Sequence, residues 1–219
     1  MNDRLLRIQQ ALPQTQCTRC GYVDCNAYAQ AVHEGSAAIN QCPPGGTRGI
    51  ERLAHIMGQA VVALNPEHGV EGPLTVAVID ESWCIGCTLC IKACPVDAII
   101  GTNKHMHTVI EADCTGCELC IPACPVDCIS LEPVAGSVTG WDAWSDERAQ
   151  QSEQRYQQRK VRLQQEEREH AARLEAKAQM KFADLEAHSQ HTDPVVLDKK
   201  RAVIEAALAR ARAKQGKAE

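Results

Sequence analysis

A sixteen-residue stretch occurs twice in this chain, as CIGCTLCIKACPVDAI at residues 84–99 and as CTGCELCIPACPVDCI at residues 114–129. The two copies lie 30 positions apart and agree at 12 of 16 positions, which indicates an internal repeat. Each copy follows a segment of β-forming residues, at 75–79 and at 107–110. We therefore expect two hairpins and two short helices in pseudo-twofold relation.

Both copies contain the pattern C-x2-C-x2-C-x3-C-P. Three thiolates at this spacing can wrap around one [4Fe–4S] cluster, while the fourth binds the other cluster of the pair. Zinc prefers pairs of cysteines separated by a longer loop, so this pattern favours iron. Gly86 and Gly116 would let the backbone pass close to a cluster. The predicted second set of ligands is Cys84, Cys87, Cys90 and Cys124, and the third set is Cys94, Cys114, Cys117 and Cys120.

Four further cysteines precede the repeat and form a first set with the spacing C-x2-C-x4-C-x16-C. They are Cys17, Cys20, Cys25 and Cys42. A four-thiolate site with a long internal loop is also an ordinary zinc arrangement, so spacing alone leaves zinc and iron both open for this set.

Residues 80–132 resemble the bacterial two-cluster [4Fe–4S] ferredoxins. Residues 12–132 as a whole resemble the B subunit of the Rnf/Rsx electron-transport complex, in which an Fe–S domain precedes a two-cluster ferredoxin domain. The resemblance implies a [4Fe–4S] cluster on the first set, and hence three clusters. It also implies that electrons come from a flavin-bearing partner or a soluble donor and pass to a partner subunit. This sequence does not show the membrane-anchoring segment with which the family usually begins, and it adds residues 141–219.

Three residues near the repeat need a separate interpretation. Cys128 stands where the first copy has Ala98, and we expect it to be a small buried thiol rather than a ligand. His105 and His107 form an H-x-H pair, which we expect on a strand surface because each predicted cluster already has four thiolates.

Charge and composition differ between the two ends of the 219-residue chain. Residues 1–145 carry 7 Lys+Arg against 15 Asp+Glu, whereas residues 146–219 carry 16 against 13. The acidic residues 1–145 favour a basic redox partner, and the net charge of only +3 on residues 146–219 argues against nucleic-acid binding.

The cysteine count bears on the compartment. Thirteen cysteines, an odd number, in a chain without a signal peptide indicate metal ligation in a reducing cytoplasm rather than a disulfide framework. No run of residues is long and apolar enough to cross a bilayer.

The overall pattern predicts an α+β chain. Helices are expected over residues 1–12, 26–34 and 47–64, with further helices after Trp141 and from Pro194. The predicted domains are a small, mainly helical Fe–S domain at 1–66, a two-cluster ferredoxin-like domain at 74–135, and a long, charged helical extension at 141–219.

The predicted function is single-electron relay through three [4Fe–4S] clusters, as a B-type subunit of an Rnf-like complex. No nucleotide fingerprint or nucleophile–base set indicates a catalytic site, so we expect no catalytic residues, no small-molecule substrate and no enzyme activity of its own. The expected partners are redox proteins, including other Rnf-type subunits, and the expected location is the cytoplasm or the cytoplasmic face of the inner membrane, reached through partners. The alternatives are a free-standing soluble ferredoxin and, more remotely, a zinc-held interaction module.

Overall fold

The computed structural model describes residues 3–134 and 136–215, with side chains through Arg210. The chain divides into two compact units between Arg159 and Lys160. The first unit contains all thirteen cysteines and two separate hydrophobic cores. Its helices and short strands make the chain an α+β protein, as the sequence predicts.

Three helices form the N-terminal part of the first unit: α1 (Asp3–Gln10), α2 (Cys25–Glu34) and α3 (Gly46–Met57). Helix α2 begins where the Asp24 carboxylate accepts a hydrogen bond from the Ala27 N–H at 2.7 Å. It ends at Gly35, which adopts the left-handed conformation expected of a C-terminal glycine. The three helices bury a common core that includes Ile8, Leu12, Tyr28, Val32, Ile50 and Leu53.

The third helix is shorter than the sequence predicts. It ends at Met57 rather than at Leu64, because Gly58 takes a left-handed conformation (φ 65°) and its N–H bonds to the Ala54 carbonyl. Most of the following residues are exposed, and their apolar side chains (Val61 is 56% and Val62 45% exposed) do not pack as a helix face would.

Four strands build the part of the chain that carries the repeat: β1 (Thr75–Ile79), β2 (Ile99–Ile100), β3 (Thr108–Val109) and β4 (Ile129–Pro133). Strands β2 and β3 form an antiparallel hairpin. Strand β1 does not form a hairpin with a neighbour but pairs with the final strand β4, from Thr75 opposite Pro133 to Ile79 opposite Ile129. Each copy of the repeat is therefore flanked by one strand from each pair.

One of the two short helices expected in the repeat is present. Helix α4 (Leu89–Ala93) follows the second cysteine of the first copy, whereas the corresponding residues 119–123 form turns. In α4 the Lys92 N–H donates to the Thr88 carbonyl. The equivalent residue in the second copy is Pro122, which has no N–H to make this bond, and this explains the difference.

A segment after β4 returns to the N-terminal helices. Trp141 is 6% exposed, and its indole N–H donates to the Ala11 carbonyl at 2.7 Å while the Arg52 guanidinium lies 3.9 Å from the centre of its ring. Glu71 accepts hydrogen bonds from the Thr139 hydroxyl and from the backbone N–H and hydroxyl of Thr47. These contacts tie residues 139–141 to the N-terminal helices and to the linker at Glu71.

Helix α5 (Asp146–Ala183) begins inside the first unit. The guanidinium of Arg155 donates to the carbonyl oxygens of Val96 and Asp97 and pairs with the Asp113 carboxylate at 3.0 Å, and Tyr156 donates to Asp24. Residues 141–159, expected as the start of an extension, therefore pack within the first unit. The three-domain division itself stays a prediction.

The second unit contains the rest of α5 and helix α6 (Pro194–Gln215). As predicted, α6 begins at Pro194, and the Asp193 carboxylate accepts from the Val195 N–H at 2.8 Å. Leu185 and Leu197 are buried within this unit. Among the helices that the structure describes, none combines the length and the apolar character needed to span a bilayer.

Candidate iron–sulfur sites

The first cysteine set lies where the loop after α1 meets the starts of α2 and α3. Cys17 and Cys20 are in the loop, Cys25 is the first residue of α2, and Cys42 precedes α3. Burial, followed by the negative charges of Cys42, Cys17 and Cys20, raises the pKa of the Cys25 thiol well above its ordinary value. The structure thus brings all four members of this set together.

Buried glutamines hold the loop of the first set, which sequence reasoning missed. The side-chain oxygen of Gln16 accepts from the Cys25 N–H at 3.0 Å, and its amide donates to Gln14 at 2.9 Å. Gln14 in turn donates to the Gln9 carbonyl at 2.7 Å. Both glutamines are 2% exposed and have positive φ angles, so their side chains support a backbone that L-residues rarely adopt. The only signal in the sequence was the Q-x-Q pair directly before Cys17.

The third set draws its members from both copies of the repeat. Burial, followed by the charges of Cys117, Cys114 and Cys94, raises the pKa of Cys120 to about 12. Cys94, the last cysteine of the first copy, therefore lies with the first three cysteines of the second copy, as the predicted ligand exchange requires.

The second set shows the reciprocal arrangement. Burial raises the pKa of Cys90, and the charges of Cys87 and Cys84 act in the same direction. The sulfur of Cys124, from the second copy, lies 3.5 Å from that of Cys128. Burial, followed by the hydrogen bond with Cys124 and the charges of Cys124 and Cys84, raises the pKa of Cys128 to about 12. Cys124 thus lies near the cysteines of the first copy, as Cys94 lies near those of the second.

Backbone N–H groups point at the sulfurs of the repeat in matched pairs. The Ala77 N–H donates to the Cys114 sulfur and the His107 N–H to the Cys84 sulfur, both at 3.4 Å. Ala77 and His107 are 30 positions apart, as are the two cysteines that they contact. Such donors stabilise the negative charge of a thiolate and of a cluster bound to it.

Gly86 and Gly116 allow the two copies to pack closely. A Cβ on Gly86 would lie 2.5 Å from the His105 nitrogen, and one on Gly116 would lie 2.3 Å from the Thr75 carbonyl oxygen. The approach of these glycines to a cluster stays a prediction, and the close approach that the structure shows is to the strand region before the other copy. Both have positive φ angles (67° and 65°), which glycine adopts at little cost.

The donor sets fit an iron–sulfur cluster chemically. Thiols whose pKa values are raised by burial, and further by one another, need a positive centre to remain as thiolates, and the core of a [4Fe–4S] cluster supplies one. Within the described part of the chain, no three His, Cys, Asp or Glu side chains lie close enough to bind one metal ion. A cubane needs a wider set, since each thiolate binds a separate iron. Ligation of iron by these twelve cysteines stays a prediction.

Of the three residues interpreted separately from the cysteine sets, Cys128 and His105 lie as expected in burial and exposure, and His107 does not. Cys128 is buried, as predicted. His105 is exposed, but the placement of His107 on a strand surface was wrong: it is 1% exposed and its Nδ1 lies 3.2 Å from the Cys90 sulfur. It precedes β3 rather than belonging to it, and Gly101 leaves the space that the ring fills.

The first set adjoins the third. The Thr115 hydroxyl donates to the Thr15 carbonyl at 3.0 Å, and the Arg19 guanidinium pairs with the Glu118 carboxylate. The charges of Cys17 and Cys117 both act on Arg19, so this cation lies between a cysteine of the first set and one of the third.

Comparison with known families identifies the class of protein. The family model described as "4Fe-4S dicluster domain" matches residues 77–131, and the one described as "Putative Fe-S cluster" matches residues 12–44. The chain is therefore an iron–sulfur protein with a dicluster [4Fe–4S] domain.

Similar curated proteins narrow this class. The B subunit of the ion-translocating oxidoreductase complex of Azoarcus sp. (strain BH72) is 60% identical over 135 residues, which is 62% of this chain and 74% of that protein. The corresponding proteins from Thiobacillus denitrificans and Alkalilimnicola ehrlichii, which carry the same name, are 56% and 53% identical, over 62% of this chain and 72% and 73% of theirs. The chain belongs to the family of these B subunits, which confirms the resemblance inferred from the sequence, and it is an iron–sulfur electron-transfer protein.

Proposed function

We propose that this chain is the B subunit of an ion-translocating oxidoreductase complex and relays single electrons through three [4Fe–4S] clusters. The first, second and third cysteine sets would each hold one cluster. The observation that carries the proposal is the assembly of the third set from both copies of the repeat, with Cys94, Cys114, Cys117 and Cys120 lining one cavity. That exchange is characteristic of two-cluster ferredoxins.

Each cluster, when bound, can accept and release one electron. The residues of this chain supply thiolates, exclude water from most of them, and aim backbone N–H groups at sulfur. The contacts of Thr115 with Thr15 and of Arg19 with Glu118 fix the first set beside the third. An electron can therefore pass between the N-terminal part and the repeat without leaving the first unit.

The relatives are named as subunits of a complex, and this supports other subunits of such a complex as the partners of this chain. The proposal includes a flavin-bearing donor or acceptor, attachment at the cytoplasmic face of the membrane through partners, and no substrate-converting site within this chain. The acidic balance of residues 1–145 favours a partner with a basic face.

Metal analysis of anaerobically purified protein tests the cluster count. The wild type is expected to be brown, with about twelve iron and about twelve sulfide per chain, on the basis of four of each per cluster. Cys25→Ser is expected to reduce both to about eight, by removing the cluster of the first set. Cys128→Ser is the matched control, since it changes a buried cysteine outside the sets and should leave the iron content unchanged. Zinc in the wild type with iron only at the repeat would contradict the three-cluster proposal.

Membership of a complex is tested separately by fractionating cells that produce the tagged chain. We expect the protein with its partners in the membrane fraction and its release by high salt. Recovery wholly in the soluble fraction, without partner subunits but with full iron content, would instead favour a free-standing ferredoxin.

A further inference from the structure

Side chains that touch cysteine sulfur are distributed unequally between the two halves of the repeat. His107 Nδ1 lies 3.2 Å from the Cys90 sulfur, and the Cys128 sulfur lies 3.5 Å from that of Cys124. Cys90 and Cys124 both belong to the second set. The second set therefore has two side-chain neighbours that can donate hydrogen bonds to it.

The corresponding positions at the third set are alanines. Thirty positions before His107 and Cys128 stand Ala77 and Ala98, whose methyl groups donate nothing. The backbone N–H groups of these alanines do donate to the third set, at 3.4 Å to Cys114 and 3.2 Å to Cys94. The two sets thus have backbone donors at equivalent positions, Ala77 N–H to Cys114 and His107 N–H to Cys84, and differ in their side-chain donors.

The direction of both side-chain hydrogen bonds follows from the chemistry of a bound thiolate. A thiolate that ligates iron has no proton and can only accept. Nδ1 of His107 must therefore carry its hydrogen, and the thiol of Cys128 must be the donor to Cys124.

The His107 ring is held by complementary packing. It is 1% exposed, and a Cβ on Gly101 would lie 2.3 Å from the Cδ2 atom of the ring, so glycine provides its space. At the equivalent place in the other strand pair, the small residue is Ala77 and its partner is the larger Leu131. The large residue is thus His107 beside one strand pair and Leu131 in the other, so an imidazole lies at the second set only.

One hydroxyl at the third set could offset this asymmetry. Thr115 lies beside Cys117, and its hydroxyl is a possible donor to that sulfur. A hydroxyl has one hydrogen, however, and the Thr115 hydrogen is donated to the Thr15 carbonyl at 3.0 Å.

Two cations beside the third set are held by groups other than its sulfurs. Arg19 lies near Cys117, but its charge is paired with the Glu118 carboxylate. Arg148 donates to the backbone carbonyl of Cys114 at 2.9 Å rather than to its sulfur.

We propose that His107 and Cys128 raise the reduction potential of the cluster held by the second set above that of the cluster held by the third. Adding an electron increases the negative charge on the sulfurs, and hydrogen bonds to sulfur stabilise that charge. When the repeat holds one electron, that electron is on the cluster of the second set. No bond forms or breaks and no proton moves as the electron passes. This inference rests on the proposed function, namely that both sets hold clusters.

The test is an anaerobic redox titration of the full chain with dithionite and mediators, followed by EPR. Two steps are expected from the repeat in the wild type. The double variant His107→Ala Cys128→Ala should lower only the higher step and bring the two together, by about a tenfold change in the equilibrium constant, which is about 59 mV for one electron. His107→Gln, which keeps an N–H donor, should restore part of the shift. Ala98→Cys should raise the lower step.

His105→Ala is the matched control, because this histidine of the same H-x-H pair is exposed and its Nδ1 lies 3.0 Å from the Thr102 hydroxyl. It should leave both steps in place. With full iron content, an unchanged difference between the steps in the double variant, or a shift of the lower step, would overturn this inference and leave the proposed function standing. Absence of iron and of EPR signals from the wild type would overturn the proposed function itself.

Discussion

Replacement of Trp141 by alanine is expected to destabilise the first unit more than any exposed substitution. Trp141 is 6% exposed, its indole N–H donates to the Ala11 carbonyl at 2.7 Å, and Arg52 lies over its ring. The side chain also lies against Gly49, where an added Cβ would stand 3.1 Å from it. One residue thus joins the segment after the repeat to α1 and α3.

The magnitude follows from these contacts. Truncation of a buried tryptophan to alanine costs about 3–5 kcal/mol, a figure that includes the cavity. The more conservative Trp141→Phe keeps most of the apolar area but leaves the buried Ala11 carbonyl without its donor, for a cost of about 1–3 kcal/mol. In a unit of this size each kcal/mol lowers the thermal midpoint by about 2–4 °C, so the alanine variant should melt about 10 °C earlier.

The assay is anaerobic thermal unfolding, followed by far-UV circular dichroism and by the visible absorbance of the clusters at one scan rate. Trp83→Ala is the matched control, since Trp83 is 69% exposed and its removal should shift the midpoint by less than about 2 °C. A Trp141→Ala midpoint equal to that of the control would refute the view that residues 139–159 are an integral part of the first unit.

Three further predictions follow from the packing of the first unit. Gly116→Ala should destabilise the protein by at least about 2 kcal/mol more than Gly136→Ala, because both have positive φ but only Gly116 meets backbone, in strand β1. Although burial acts in the opposite direction, hydrogen bonds from two threonines lower the pKa of Glu71. Its contribution is then complete above about pH 4.3 and is lost as the pH falls through the lower folded-state pKa, so Glu71→Gln should cost about 1 kcal/mol at pH 7 and progressively less below pH 4.3. A chain truncated after Arg159 should keep its iron content and thermal midpoint, whereas truncation after Gly140 should lose both.

Each of these has a contradicting result. Equal midpoints for the two glycine variants would show that the close approach at Gly116 is relieved without cost. A Glu71→Gln deficit that persists unchanged into acid would assign the effect to something other than the carboxylate charge. Loss of iron on truncation after Arg159 would mean that the second unit is needed for cluster retention.

Much of the fold could be predicted from residue patterns that act locally. The β-forming residues of 75–79 predicted β1, Gly35 marked the end of α2, and the Asp193-Pro194 pair marked the start of α6. The pairing of β1 with β4 could not be predicted, because strand partners depend on how the two copies pack and not on either strand alone.

In the candidate sites, too, features set by the local chain could be predicted and contacts between segments could not. Cysteine spacing predicted the three ligand sets, because the first three cysteines of each copy lie within one short loop, and ligation by these sets stays a prediction. Neighbours from distant segments were not predictable: Gln16 supports Cys25 across nine positions, and His107 reaches Cys90 across seventeen. Nothing in the H-x-H pair distinguishes the exposed His105 from the buried His107, since that depends on the space left by Gly101.

The pairing of β1 with β4 has a consequence for how the protein is made. Thr75 and Pro133 are 58 positions apart, so this ladder can close only after the whole repeat has left the ribosome. At about 5–20 residues per second, the first strand and the cysteines after it wait several seconds for their partner. Contacts of such long sequence separation form late and slowly. The two copies of the repeat are therefore not independent folding units, and we expect cluster insertion to follow synthesis of β4 rather than to proceed one copy at a time.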